Sequence, residues 1–491
     1  MIYDAITRII AKSIALFAPE YATRYLKNHN LVRAYAAAST TGANKNFKPR
    51  RSSGAQEILS SWQTVTNKTR ALQRDDSHVA GMGRRFVASL VGEGSWPRPK
   101  ILKRNAANKY DFEAEINKEI LQRWERWAGE ACANGDSIYQ LQRVAASHFF
   151  FDGGILIRRV IVNRKLALEP IELDQLDVNK NMDNGKTRIV GGKELDQYNK
   201  PIAFWIKPRH PAEVETESVR FPAEDIIDLF DRSRASEVGG ISRLAPCVLN
   251  FHNIGAFRSD TMKLARTATG FGVFVETENP DDFFPTDGEK DENDIDLEYI
   301  TSGGIHYLRP GEKIQTVKPE NPGATYEPFL RSELRSASVG AGMSYESVSN
   351  DGSQTNFSGA RQMLLFERAM IRYTFAIFEE RFYGRIYRWF IEHEAEFEKL
   401  RLSNYESEKH RYLRVSWSRP KTEWVDPLKD AKAAKEEIDM GVNTLTEYCE
   451  TQGRDIEEVV ATRKYESELF NAAGINASPT TQQAGGNTNA E

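Results

Sequence analysis

Cysteine is scarce: only Cys132, Cys247 and Cys449 occur in 491 residues, an odd number with no C-x-x-C spacing. That argues against a disulfide framework and a cysteine-built zinc site, and it predicts three free thiols in a reducing compartment. Long apolar runs are also missing. No stretch reaches the roughly 18 uninterrupted apolar residues of a bilayer-spanning helix. In the opening MIYDAITRIIAKSIALF, the charges Asp4, Arg8 and Lys12 recur every fourth residue, the pattern of an amphipathic helix rather than a signal peptide. The chain is expected to be soluble. A basic excess is absent too, since 66 Lys and Arg stand against 70 Asp and Glu for a net charge of -4. Tight duplex binding normally rests on surplus cations that displace phosphate counterions, so it is disfavoured here. Motifs for catalysis are likewise missing: there is no G-x-S-x-G, no Walker A loop and no H-E-x-x-H, and the eight histidines do not cluster at ligand spacing. The fragments GMG at 81–83 and GEG at 92–94 lack the strand-turn-helix setting of a dinucleotide site and read as local turns. No enzymatic site, cofactor or metal is expected.

What is present is a globular composition, with 40% hydrophobic and 28% charged residues, on a chain longer than one core usually organises. Residues 1–57 form a basic arm: no acid lies between Glu20 and Glu57, while Arg24, Lys27, Arg33, Lys45, Lys48, Arg50 and Arg51 do. Such an arm is a solvated connection or a contact with an acidic neighbour or phosphate. Helical spacing then runs from Ile58 to Val91 and again over 111–150, which carries Trp124 and Trp127. Short β-rich runs follow, with Asn199 and Lys200 at a hairpin tip, so 58–243 reads as a mixed α/β body. Leu249, Ile254, Phe257, Met262, Leu264 and Ala268 predict a helix over 245–270 buried on several sides.

Residues 276–298 hold eleven acids against the single Lys290. DENDIDLEYI within them imitates a calcium loop, but Ile295 falls on a ligand position and Asp296 on the turn that needs glycine. A second helical stretch, YEPFLRSELRSASVGAGM, precedes the polar loop SYESVSNDGSQTN. From Ser358 to about Glu398 the chain lacks proline, and Leu364, Ile371, Phe375, Phe378, Phe382, Ile386 and Trp389 form a stripe along a helix of about 60 Å. Charged terminal helices and a polar tail expected to be disordered, 474–491, complete the chain.

Several strings occur in a telling order: ALQRDDSHVAGMGRRFVASLVGEG, CANGDSIYQLQRVAASHFFFDGGILIRRV, IELDQLDV, FPAEDIIDLFDRSRASEVGGIS, IHYLRPGEKI, LRSASVGAGMSYESVSNDGSQTNFSGARQMLLFER and VDPLKDAKAA. Across roughly residues 55–465 they resemble the lambda-family portal proteins of tailed bacteriophages. The resemblance implies an α+β portal fold assembled as a ring, usually of twelve subunits, at one capsid vertex. Its parts would be a mixed α/β wing (58–243), stem helices (244–270 and 326–343), a small α/β clip insertion (271–325), a channel loop (344–357), a long wing helix with its following strand (358–425) and a helical crown (426–473). It implies a conduit for packaging and ejecting double-stranded DNA without sequence specificity. On this mapping Asp351, Gly352, Ser353 and Gln354 face the DNA, short polar groups and glycine allowing the loop to shift as the duplex passes.

Asp281, Asp282 and Asp287 of the clip would meet basic surfaces on the terminase large subunit or on the head-completion adaptor protein. The major capsid protein is the further implied partner, with the basic arm as a candidate contact. Twelve chains at -4 would carry about -48, a balance that suits sliding over gripping. The chain departs from the family pattern at Asp228, in DLF where HLF is frequent, and at Val238, in EVGG. Other readings are a different head-tail connector or head-closure protein, or a nuclease or ATPase of the packaging machinery. The latter requires a phosphate-cradling loop or clustered metal-binding carboxylates.

Overall fold

The computed structural model describes residues 51–104, 110–185, 187–269, 274–276, 313–315, 323–398, 400–420, 427–452, 454 and 456–472, with isolated positions before residue 51. The chain divides into two compact units, Met1–Glu57 and Ile58–Glu491, and the architecture below is that of the second. The helix expected at the N-terminus and the polar tail lie outside the described residues.

Asp76 splits the first periodic stretch. Its backbone is extended and its carboxylate accepts from the amides of His78 and Val79, each at 2.9 Å, so one expected helix becomes two, α1 (Gly54–Asp75) and α2 (Ser77–Val91). Three short strands follow, β1 (Pro97–Pro99), β2 (Leu102–Arg104) and β3 (Tyr110–Phe112). The expected helix over 111–150 also divides, into α3 (Ala114–Ala128) and α4 (Ile138–Phe151), because Gly135 takes φ 88° and Ser137 caps α4 by accepting from the Gln140 amide.

The body carries two antiparallel sheets. In one, β4 (Gly154–Val162) lies between β5 (Lys165–Ile171) and β11 (Ile226–Phe230). Asn163 and Arg164, at φ 50° and 66°, make the tight turn from β4 to β5. The other is a meander of β6 (Met182–Asp183), β7 (Arg188–Val190), β8 (Lys193–Leu195), β9 (Pro201–Ile206) and β10 (Val219–Pro222), with Asn199 at φ 64° in the turn joining β8 to β9. Period-two alternation on β4 serves two cores. Ile155 and Ile157 enter the main cluster, and Leu156 joins Trp62, Ile171 and Phe204 in a second. The glycine pairs of the DGGIL and EVGGIS strings permit one close approach. A side chain at Gly153 (φ 86°) would collide with the Ile241 backbone, and one at Gly240 with the Gly153 carbonyl.

The next helices, α5 (Val248–Thr269) and α6 (Tyr326–Ala341), run antiparallel, from Cys247 beside Gly340 to Phe257 against Tyr326 and Phe329. The sequence predicted α5 to be buried on several sides, and in the single chain it is not. Val248, Phe251 and Ile254 are buried, whereas Leu249, Met262 and Leu264 are 64%, 56% and 58% exposed. One antiparallel partner helix covers only one face. Between the two helices the described residues include a strand pair, β12 (Phe274–Glu276) with β13 (Lys313–Gln315).

After the short α7 (Tyr345–Ser349) comes the long rod: α8 (Phe357–Phe378), a π-helical turn (Glu379–Tyr383) and α9 (Gly384–Glu396). Phe382 and Tyr383 of the wider turn are both buried. Its second half packs on Trp124, whose ring lies 5.0 Å from Phe390, 4.9 Å from Trp127 and 5.8 Å from Trp417. Trp417 comes from β14 (Val415–Trp417), which follows α10 (Tyr405–Tyr412) and pairs with β1. The terminal region forms α11 (Pro427–Asp439), α12 (Leu445–Thr451) and α13 (Ile456–Ala472), held to the body by Lys100–Glu450 at 2.9 Å and Arg361–Asp430 at 3.5 Å. All three cysteines are free and buried.

Candidate functional site

The residues between α6 and α8 are tied by their own side chains. Ser344 caps α7 by accepting from the Ser347 amide at 3.2 Å, while its own amide and the Ser347 hydroxyl donate to the two oxygens of Glu367 on α8, at 2.7 and 2.9 Å. Asn350 ends α7 in the left-handed region at φ 57°. Asp351 then organises the turn. One of its oxygens accepts from the Ser353 amide at 3.0 Å, the other from the Tyr345 hydroxyl at 3.0 Å, and Arg331 of α6 stands 3.7 Å away. Bonds from Ser353 first, then Tyr345, hold the Asp351 carboxyl down at about 2. Thr355 donates to Glu346 at 2.7 Å, and Asn356 caps α8 through the Gly359 amide.

Two contacts from α2 fix the far side: Arg85 donates to the Asn350 amide oxygen at 2.8 Å, and His78 Nδ1 lies 3.4 Å from the Val348 carbonyl. The four residues named from the sequence therefore share one turn. Gly352, Ser353 and Gln354 are exposed, and Asp351 is half-buried as the hub. Space around Gly352 is open and its φ is not in the left-handed region, so neither sterics nor backbone demands glycine there. Sequence reading missed Glu367, Arg85, His78 and Arg331. Their partners lie 20 to 270 positions away, beyond the reach of any local motif.

Asp281, Asp282 and Asp287 lie outside the described residues, as does most of the acidic insertion. Elsewhere, Arg70 gathers carboxylates, donating to Asp152 through two bonds at 2.9 Å, to Glu172 at 3.1 Å and to Asp174 at 2.8 Å. Burial alone would raise the Asp152 carboxyl, but bonds from His148 and Arg70 outweigh it and lower the pKa. Glu172, Asp174 and His210 offer ligand atoms within 4.8 Å of one another, and the Arg70 guanidinium already supplies the cation for both carboxylates. Asp228, where the chain departs from the family pattern, binds buried Lys193 at 2.6 Å. Val238, the other departure, is buried and lines one small pocket together with Lys193. The two departures meet around one internal cation.

Residues 40–374 match the family described as phage portal protein, lambda family. The chain is 26% identical over 489 residues to the probable portal protein of Halomonas phage phiHAP-1, covering 95% of this chain and 92% of that protein. It is 25% identical over 179 residues to the portal protein of Escherichia phage N15, covering 35% of this chain and 33% of the relative. Among solved structures it is similar to the neck of the empty gene transfer agent particle computed with C6 symmetry (TM-score 0.44, 10% identity, 79% of this chain and 94% of the other). It is likewise similar to the neck of the native particle computed with C12 symmetry (TM-score 0.44, 11% identity, 79% and 93%). The family match extends over more than half of the sequence and includes the turn at 351–354: the chain belongs to the lambda family of phage portal proteins.

Proposed function

We propose that the chain acts as one subunit of a ring at a capsid vertex, through which double-stranded DNA is packaged and released. The observation that carries this reading is apolar surface with no cover in the single chain. On α5 it comprises Leu249, Met262 and Leu264; on α6, Val339, 79% exposed; on the first half of α8, Met363, Phe366, Met370 and Tyr373, between 41% and 59% exposed. The last four recur at steps of three, four and three, one stripe along a helix. Stripes of this kind on separate helices are what a ring of identical neighbours covers, each copy offering one face and receiving another. The exposed turn at Gly352–Gln354, braced by α2, α6 and α8, is the part offered to the duplex. Its lack of Lys or Arg suits a surface along which phosphates slide. The acidic insertion is the docking element for the terminase large subunit and the head-completion adaptor, and the basic arm of residues 1–57 is the contact with the major capsid protein.

Native mass spectrometry with electron-microscope class averages of purified protein tests the reading. Closed rings of about twelve copies with a central hole are expected. A stable monomer or dimer at high concentration would overturn it, as would robust ATP hydrolysis or metal-dependent DNA cleavage by the pure protein.

A further inference from the structure

The side of α2 facing α4 forms an open groove of about 740 Å³. Ala80, Gly83, Val87 and Val91 line one wall, Tyr139 and Val144 the other. Along α2 the groove runs from Ala80 to Gly92, about 18 Å or three helical turns. At its N-terminal end it shares Gln73, Ser147 and Phe151 with a second hollow of about 350 Å³. Gly83 keeps the floor tight, since a side chain there would lie 2.3 Å from the Phe151 ring.

The charge of this groove is one-sided. None of its lining residues is acidic, and two of them, Arg84 and Arg143, are exposed arginines. Arg74 lies in the adjoining hollow, which Asp152 and Glu172 also line, both bound to Arg70. Several arginines elsewhere on the body, Arg70, Arg123, Arg159, Arg220 and Arg411, form ion pairs with carboxylates, whereas others, such as Arg335 and Arg388, form none among the described residues. Among the described residues no ion pair joins Arg74, Arg84 or Arg143 to a carboxylate, and Arg143 lies over the Tyr139 ring at 5.8 Å while donating to the Gln140 amide.

We propose that this groove is a docking surface for an acidic amphipathic helical segment of a partner protein. Carboxylates on that segment would meet Arg84 and Arg143. Its apolar stripe would cover the exposed parts of Val87, Val144 and Tyr139. A phosphate backbone could satisfy the arginines but would leave the apolar walls wet, so the observations favour a peptide over DNA. The inference goes beyond the portal reading and does not depend on it, because every lining residue comes from one copy.

The test uses purified full-length protein and a fluorescein-labelled helical peptide with a leucine stripe flanked by glutamates. Binding is followed by anisotropy, with ring formation recorded on the same samples by native mass spectrometry. Wild type is expected to bind, and the Arg84→Glu/Arg143→Glu variant to lose at least about tenfold in affinity, as should the peptide with glutamine in place of glutamate. Added salt should weaken the complex. The variant Arg84→Gln/Arg143→Gln, which introduces no repulsion, should fall between the two and guards against a folding defect. No binding by wild type, or equal binding by both variants, overturns the proposal. So does a labelled DNA duplex that displaces the peptide with the same arginine dependence, which would make the groove a phosphate contact. Loss of rings with binding intact would instead count against the portal reading alone.

Discussion

Two side chains give the clearest statements about single residues. Lys193 is buried, and burial pushes its ammonium pKa down while Asp228 opposes that shift. Asp228→Ala strands the cation among Phe204 and Phe230 and should destabilise the body by about 3–5 kcal/mol in urea unfolding. The paired change Lys193→Met with Asp228→Leu should recover most of that loss, because neither charge is then left without its partner. At the turn, Asp351 has a folded pKa below its ordinary 3.8, so its contribution is present above that value and is lost as pH falls through about 2. Carbon-detected NMR should place its titration near 2, and Tyr345→Phe, which removes one bond to the carboxylate, should move the midpoint upward. An unchanged midpoint would mean that the Tyr345 bond does not hold the turn.

Among the elements, the long rod from Phe357 to Glu396 depends on its aromatic seat. Trp124 is fully buried against Trp127, Phe390 and Trp417, so Trp124→Ala should cost about 3–5 kcal/mol and lower the unfolding midpoint. Much of this was legible beforehand. The stripe Leu364, Ile371, Phe375, Phe378, Phe382, Ile386 and Trp389 predicted one buried face; the last five are buried, and Leu364 and Ile371 are half-buried. The π-turn was not legible, since adjacent buried side chains such as Phe382 and Tyr383 occur equally in the ordinary helix that follows, at Ile386 and Tyr387. Nor was the break at Asp76, where a side chain that caps locally interrupts a stretch whose apolar spacing continues through it. At the candidate site the sequence marked the turn by its polar and glycine residues, and the cross-chain bonds to Glu367 and Arg85 left no trace there.

For the whole molecule, the exposed stripe on α8 separates folding from assembly. Met363→Asp, Phe366→Asp and Met370→Asp together should abolish rings in native mass spectrometry while changing single-chain stability little, because these side chains contact solvent in the isolated subunit. Rings that persist in the triple variant would place the subunit contact elsewhere. The mismatch on α5 points the same way. Its apolar residues predicted burial on several sides, one partner helix covers one side, and Leu249, Met262 and Leu264 remain for a neighbour.

By itself the sequence determined which stretches are helix or strand, since apolar spacing and capping residues act within a few positions of the chain. It pointed to the family too, through the shared order of several strings along the chain, among them the one around DGGIL, where Gly153 takes a positive φ. Tertiary structure alone decided that Asp351 is the hub of its turn rather than a free polar tip, and that Lys193 finds Asp228. It also left Arg84 and Arg143 on a groove without acids. The pairing of Lys193 with Asp228 and the meeting of Arg84 and Arg143 rest on side chains brought together from distant positions, where distance and burial set the energy and sequence spacing has little influence.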